Sequence, residues 1–157
     1  MNHDAMHERS RRIVFGCDHA GFEMKQLLMK AVAGEGIDIE DLGAKDSSSV
    51  DYPDYAAAVA GRVSAKTADV GVLVCGTGIG MDIAANKFPG VRAALLYDDV
   101  AANYSRLHND ANVAVFGART MNPEDAERRL RIFLTQIFEG GRHQARLEKI
   151  RSFEKKA

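Results

Sequence analysis

Apolar and polar positions along this chain alternate between two rhythms. Short runs with nearly continuous apolar character recur: Arg12–Cys17 (RIVFGC), Ile37–Leu42, Val70–Cys75 (VGVLVC), Val91–Tyr97 (VRAALLY) and Val113–Phe116. Between them lie longer stretches with apolar residues three and four apart, the period of a helix with one buried face. Phe22–Val32 places Phe22, Met24, Leu27, Leu28 and Ala31 near that spacing, with Lys25 and Lys30 elsewhere on the turn, and Gly34 and Gly36 stop it. Alanine-rich Pro53–Ser64, a short helix after Gly80 to about Lys87, Asp98–Leu107, Pro123–Phe138 and Arg142 to about Phe153 complete the set. Pro123 suits the first turn of its helix, and Gly140–Gly141 breaks it. Ile37–Leu42 is the most polar of the strands and suits a sheet edge.

Five strand-then-helix units predict an α/β fold: a three-layer αβα, Rossmann-like sandwich around a five-stranded parallel sheet, with an extra C-terminal helix. Residues 1–11 (MNHDAMHERSR) read as a disordered tail ahead of a single domain over 12–157. In such sheets ligands bind beyond the carboxyl ends of the strands, where strand order reverses. Four segments then compete for chemistry: after the first strand, after the third, after the helix that follows the fourth, and on the last helix.

Composition narrows the function classes. At 157 residues, 46% hydrophobic and 27% charged, the chain matches a folded soluble domain rather than a disordered one. Twenty-one basic against 22 acidic residues give a formal charge of −1, which argues against nucleic acid or a membrane surface as the main partner. No apolar run approaches the ~20 residues that cross a bilayer, and the polar N-terminus lacks a secretory core. Two cysteines in such a chain point to free thiols in a reducing compartment, hence to the cytoplasm.

The glycine-rich turn Cys75–Gly76–Thr77–Gly78–Ile79–Gly80 aims backbone N–H groups at one point as a buried strand enters a helix, which makes an anion or oxyanion site. It lacks the Gly-Lys-Ser/Thr ending of a P-loop, and Met81 stands where a dinucleotide fingerprint requires glycine. Asp98, about twenty residues on, keeps a nucleotide-binding module open as a second reading. Cys75 at this turn is either a small buried hydrophobe or, beside a helix start, a thiol activated as base or nucleophile. Asp18 and His19 follow the first strand in the same way; His19 suits an anion or acid role, while Asp18 equally suits a helix cap. His108–Asn109 precedes the fifth strand. Arg142 and Arg146, four apart, share a helix face and either clamp a phosphate or decorate a solvated surface. Cys17, His19, Cys75 and His108 lack the close paired spacing of a zinc set, so no metal is expected.

Together these blocks resemble a known family. GCDHAGFEMK (16–25), DYPDYA (51–56), CGTGIGM (75–81), AANKFPGVRA (84–93), SRLHNDANV (105–113), FGAR (116–119) and EGGRHQARL (139–147) are similar, in order, to ribose-5-phosphate isomerase type B, whose family includes galactose- and allose-6-phosphate isomerases. The resemblance implies a cofactor-independent aldose–ketose isomerase acting through an enediolate after ring opening. It implies Cys75 as the base, Thr77 beside it, and His108 as the ring-opening acid. Asn109 becomes a sugar or oxyanion contact, Asp18 and His19 sugar-hydroxyl or phosphate contacts, and Tyr52 a pocket wall. Gly76, Thr77, Gly78, Ile79 and Gly80 become the anion hole, with Arg119, Arg142 and Arg146 the phosphate ligands. It implies a homodimer, possibly a dimer of dimers, with the site between subunits. Ribose 5-phosphate and ribulose 5-phosphate are the expected pair; allose 6-phosphate, galactose 6-phosphate and erythrulose 4-phosphate are the alternatives.

Overall fold

The computed structural model describes residues 10–34 and 36–154; residues 1–9 of the expected tail lie outside them. Five strands, β1 (Arg11–Cys17), β2 (Ile37–Asp41), β3 (Val70–Cys75), β4 (Ala93–Leu95) and β5 (Val113–Gly117), form one parallel sheet in the order β2-β1-β3-β5-β4. Six helices accompany them: α1 (Phe22–Val32), α2 (Tyr52–Ser64), α3 (Ile79–Ala85), α4 (Asp99–Leu107), α5 (Pro123–Thr135) and α6 (Arg142–Glu154). The order reverses between β1 and β3, so the carboxyl ends of those two strands lie side by side, with Cys17 opposite Val74.

Strand side chains alternate between faces, and here each face meets helices. Ile13, Phe15 and Cys17 of β1 and Val70, Val72 and Val74 of β3 pack with Met24 and Leu28 of α1, Ala102 of α4, and Leu130 and Phe133 of α5. Val14, Leu73 and Cys75 point the other way, against Ala56, Val59 and Val63 of α2 and Met81 and Ala85 of α3. This is the expected three-layer sandwich, and it sends the two cysteines to opposite faces. Both are free thiols, and burial raises the pKa of Cys17.

Three expectations are corrected. The fourth strand is Ala93–Leu95 rather than Val91–Tyr97, because Val91 N–H turns back to Phe88 O (3.2 Å) and Arg92 N–H is taken by Asn112 Oδ1 (2.8 Å). The helix expected to Phe138 ends at Thr135, whose hydroxyl donates to Arg131 O (2.9 Å) and Ile132 O (3.1 Å) and so satisfies carbonyls of the last turn. Lys25, read as lying off the apolar face, is fully buried. Its ammonium donates to Asp41 Oδ1 (2.5 Å) and Ala44 O (2.7 Å) and lies over the Phe22 ring, tying α1 to the end of β2.

Candidate active site

The β1/β3 switch point carries one group of expected site residues. Gly21 lets α1 begin against β3: a Cβ there would stand 2.3 Å from Val74 O, inside any van der Waals limit. Asp18 is buried and its Oδ1 accepts Gly21 N–H (3.0 Å), so one carboxylate oxygen closes the β1–α1 turn. His19 Nδ1 accepts Val50 N–H (3.2 Å), so in the neutral ring the hydrogen sits on Nε2.

Cys75 ends β3, 5% exposed, and Ala118 N–H of the β5–α5 connection caps its carbonyl at 2.8 Å. Gly78 adopts the left-handed φ of 81°, which swings its N–H onto Cys75 Sγ at 3.2 Å. The sulfur therefore accepts a hydrogen bond. The helix that follows has only seven residues, so the backbone N–H groups of the turn, more than a long dipole, supply the positive field. Thr77 is exposed, with Oγ1 taking Ile79 N–H at 3.3 Å. Two further side chains close on the turn. Arg119 Nη1 lies so near that a Cβ on Gly76 would stand 3.2 Å from it, and the Tyr52 ring would stand 2.6 Å from a Cβ on Gly80. Both glycines thus leave room for named partners.

His108, Asn109, Arg142 and Arg146 are elsewhere. His108 caps the end of α4, before β5 begins at Val113, whereas Cys75 pairs with Gly117 at the other end of that strand. Four residues of strand separate these levels, roughly 13 Å at about 3.3 Å per residue. Asp110, with Arg92 Nη2 at 3.1 Å and Arg106 Nη1 at 3.0 Å, pins the loop that carries His108 and the exposed Asn109. Arg142 and Arg146 are exposed on α6, and neither pairs with a carboxylate among the described residues.

Sequence reasoning missed the surroundings of His108. The His143 ring stacks on it (centroids 4.0 Å, 16° between planes), and Tyr104 lies 4.4 Å away on α4. Glu139 Oε2 sits 3.7 Å from His108 Nε2 and 3.5 Å from His143 Nε2. The block EGGRHQARL (139–147) carries the signal, in Glu139 and His143. The ligand atoms of His108, Glu139 and His143 fall within 4.8 Å of one another. Imidazole lone pairs lie in the ring plane, and two planes stacked at 16° do not converge on one ion, so the arrangement suits shared protons better than a metal.

Two clefts, of about 730 and 650 Å³, open along α6; Cys75 lines neither. Ile79 and Ile83 of α3 (54% and 58% exposed) instead leave an apolar surface beside the glycine turn, and α6 exposes Ile150 and Phe153. No described helix is long and apolar enough to cross a membrane.

The fold and the turn define a Rossmann-like αβα protein with a thiol at a glycine-rich strand-to-helix turn. Residues 13–150 match the model of the ribose/galactose isomerase family, to which the chain belongs. It is 42% identical to ribose-5-phosphate isomerase B of Escherichia coli K12 over 146 residues, 93% of this chain and 98% of that protein. Among solved structures it is similar to type B ribose 5-phosphate isomerase of Trypanosoma cruzi (TM-score 0.91, 47% identity, 94% and 98% of the two chains). The Mycoplasma genitalium ribose-5-phosphate isomerase B with bound ribulose-5-phosphate is also similar (TM-score 0.90, 36% identity, 96% and 100%).

Proposed function

We propose that the protein is a cofactor-independent isomerase of ribose 5-phosphate and ribulose 5-phosphate, working as a cytoplasmic homodimer or dimer of dimers. The observation that carries the reading is the Cys75 turn: a thiol at the switch point, accepting Gly78 N–H, with Arg119 and Tyr52 closing on the same glycines. Membership of the isomerase family supports it over a nucleotide-binding module. The carboxylate that module would need, Asp98, is engaged as the cap of α4, accepting Ala101 N–H at 2.6 Å.

The chemistry follows from the groups. Ring opening breaks the C1–O4 bond: the acid, His108, gives a proton to O4, while the C1 hydroxyl loses its proton to water and becomes the aldehyde. Cys75 thiolate then takes the proton from C2, and the electron pair moves toward O1 to give an enediolate. N–H groups of Gly76 and Gly80 answer the charge that develops, while Gly78 N–H holds the sulfur and Ile79 N–H is taken by Thr77 Oγ1. The thiol returns a proton to C1, and C2 becomes the ketone as its hydroxyl proton passes to O1. Thr77, Asp18, His19, Tyr52 and Asn109 hold sugar hydroxyls or phosphate, and Arg119, Arg142 and Arg146 bind the unreacting phosphate, whose binding energy fixes the carbon chain. No metal or organic cofactor enters this scheme.

Two chains are needed because His108 and the α6 arginines stand roughly 13 Å along the strands from the level of Cys75. The apolar α3 surface and the exposed α6 supply a face through which a partner's His108, Arg142 and Arg146 complete the site. Turnover of purified protein on ribose 5-phosphate, allose 6-phosphate, galactose 6-phosphate and erythrulose 4-phosphate, with chelator and no added cofactor, tests the reading. Highest kcat/KM is expected on ribose 5-phosphate. Preference for another sugar phosphate moves the substrate, and tight nucleotide binding with no turnover on any of them defeats the isomerase.

A further inference from the structure

We infer that Glu139 and His143 are positioning residues that hold His108 as a proton donor, and that they matter only for sugars that arrive as closed rings. The inference rests on the ring-opening role proposed for His108.

The geometry begins in the backbone. Glu139 N–H donates to Leu107 O (3.1 Å), fastening the α5–α6 connection to the residue before His108. Gly140 and Gly141 follow with φ of 67° and 55°, two successive left-handed residues that side chains disfavour. A Cβ at either would meet nothing within 4 Å, so it is conformation, not space, that requires glycine there. This reversal starts α6 at once, with His143 N–H on Gly140 O (3.1 Å), and lays the second imidazole flat on the first. His108 is then held between Tyr104 and His143, its Nε2 facing the carboxylate that His143 Nε2 also faces.

Two imidazoles stacked at 4.0 Å repel when both are charged. The groups facing His143 set its own charge. Burial, His108, Arg142 and Arg146 disfavour its cation, and Glu139 opposes them, with the net direction downward. His143 is thus the neutral platform, its side chain 6% exposed, while His108, 32% exposed, has the carboxylate beside it and an open path to a ligand. Glu139 lies beside both rings, and the stack fixes the plane of His108. Arg142, the next residue to His143, gives the same short segment a phosphate ligand, so binding the phosphate and presenting the acid fall to one rigid turn.

The test separates ring opening from proton transfer. Ribose 5-phosphate closes to a furanose. Ribulose 5-phosphate, phosphorylated on O5, does not close to one through its ketone, and erythrose 4-phosphate, phosphorylated on O4, has no furanose. In Glu139→Gln and His143→Gln we expect kcat/KM on ribose 5-phosphate to fall about 10- to 100-fold, the size of a general-acid contribution. Solvent-deuterium exchange at C1 of ribulose 5-phosphate, and turnover of erythrose 4-phosphate, should change less than about threefold, within the same general-acid accounting. His108→Asn should show the same split, and either acyclic probe suffices. Equal losses on closed and open sugars would make the two residues merely structural, and no loss on ribose 5-phosphate would leave them no role; either result overturns the inference. Failure of the isomerase reading looks different, since the wild-type protein would then convert no sugar phosphate.

Discussion

Removing Asp41 should harm this protein more than removing the lysine it serves. Lys25 has no solvent contact, and its ammonium rests on two acceptors, Asp41 Oδ1 at 2.5 Å and Ala44 O at 2.7 Å. The Asp41 side chain keeps about a third of its surface in water (32%) and also accepts Gly43 N–H at 2.9 Å. In Asp41→Ala the buried cation loses its counter-charge, a loss of about 3 to 5 kcal/mol for a buried pair; Ala44 O remains, so about 3 is expected. In Lys25→Met the carboxylate falls back on water and Gly43, and the apolar chain refills the space. The Ala44 carbonyl loses its side-chain donor, about 1 kcal/mol net. The double variant should therefore be more stable than Asp41→Ala alone, by about 2 kcal/mol, a ~30-fold change in the folding equilibrium. Urea unfolding at pH 7.5 measures all three. A larger loss for Lys25→Met than for Asp41→Ala, or simple addition of the two, would refute the reasoning.

Three shorter predictions follow from the same geometry. Cys75→Ser should nearly abolish turnover while phosphate-ligand affinity, measured by calorimetry, stays within about threefold, because the thiol acts on the proton and the arginines on the phosphate; near-normal turnover would remove the thiol from its role as base. Gly21→Ala drives a Cβ into Val74 O and should destabilise by about 3 kcal/mol or more in urea, since backbone on both sides leaves no side chain to yield. Asp82, whose Oδ1 is shut off without a donor, has its pKa raised by burial from 3.8 to about 6. A folded pKa above the unfolded one means stability falls as pH rises between about 4 and 6, and the penalty is complete above that. Asp82→Asn should thus gain about 1 kcal/mol at pH 7.5, after discounting for partial solvent contact, and lose that advantage by pH 4 in thermal melts; a gain independent of pH would contradict the assignment.

What could be read in the sequence was what local pattern controls. β1, β3 and β5 are apolar on both faces because helices cover both, and their runs stand out for that reason. The end of the fourth strand did not, since Val91 and Arg92 look like strand but spend their N–H groups on Phe88 and Asn112. Lys25 looked peripheral because its partner, Asp41, comes from another element. At the site, the Cys75 turn was legible as a local motif, together with the glycines that make it. The Tyr52 and Arg119 contacts, by contrast, depend on α2 and the β5 turn arriving at the same place. His143 was hidden because its significance is a stack on a residue 35 positions away, and Gly140–Gly141 reads as a helix break before it reads as a device for returning the chain. Nor does spacing reveal that His108 and Cys75 lie at opposite ends of β5; only the parallel register does.

That separation makes subunit complementation the most direct measurement. On ribose 5-phosphate, Cys75→Ser chains are expected to be nearly inactive alone and His108→Asn chains to be reduced about 10- to 100-fold. When the two are co-expressed, half the dimers pair one of each, and in such a dimer one site carries both defects while the other carries neither. About a quarter of wild-type activity should return, as expected for a two-fold symmetric dimer with shared sites. No recovery from mixed dimers, demonstrated as mixed by differential tagging, would mean that Cys75 and His108 do not meet across an interface, and the two-chain active site would be wrong.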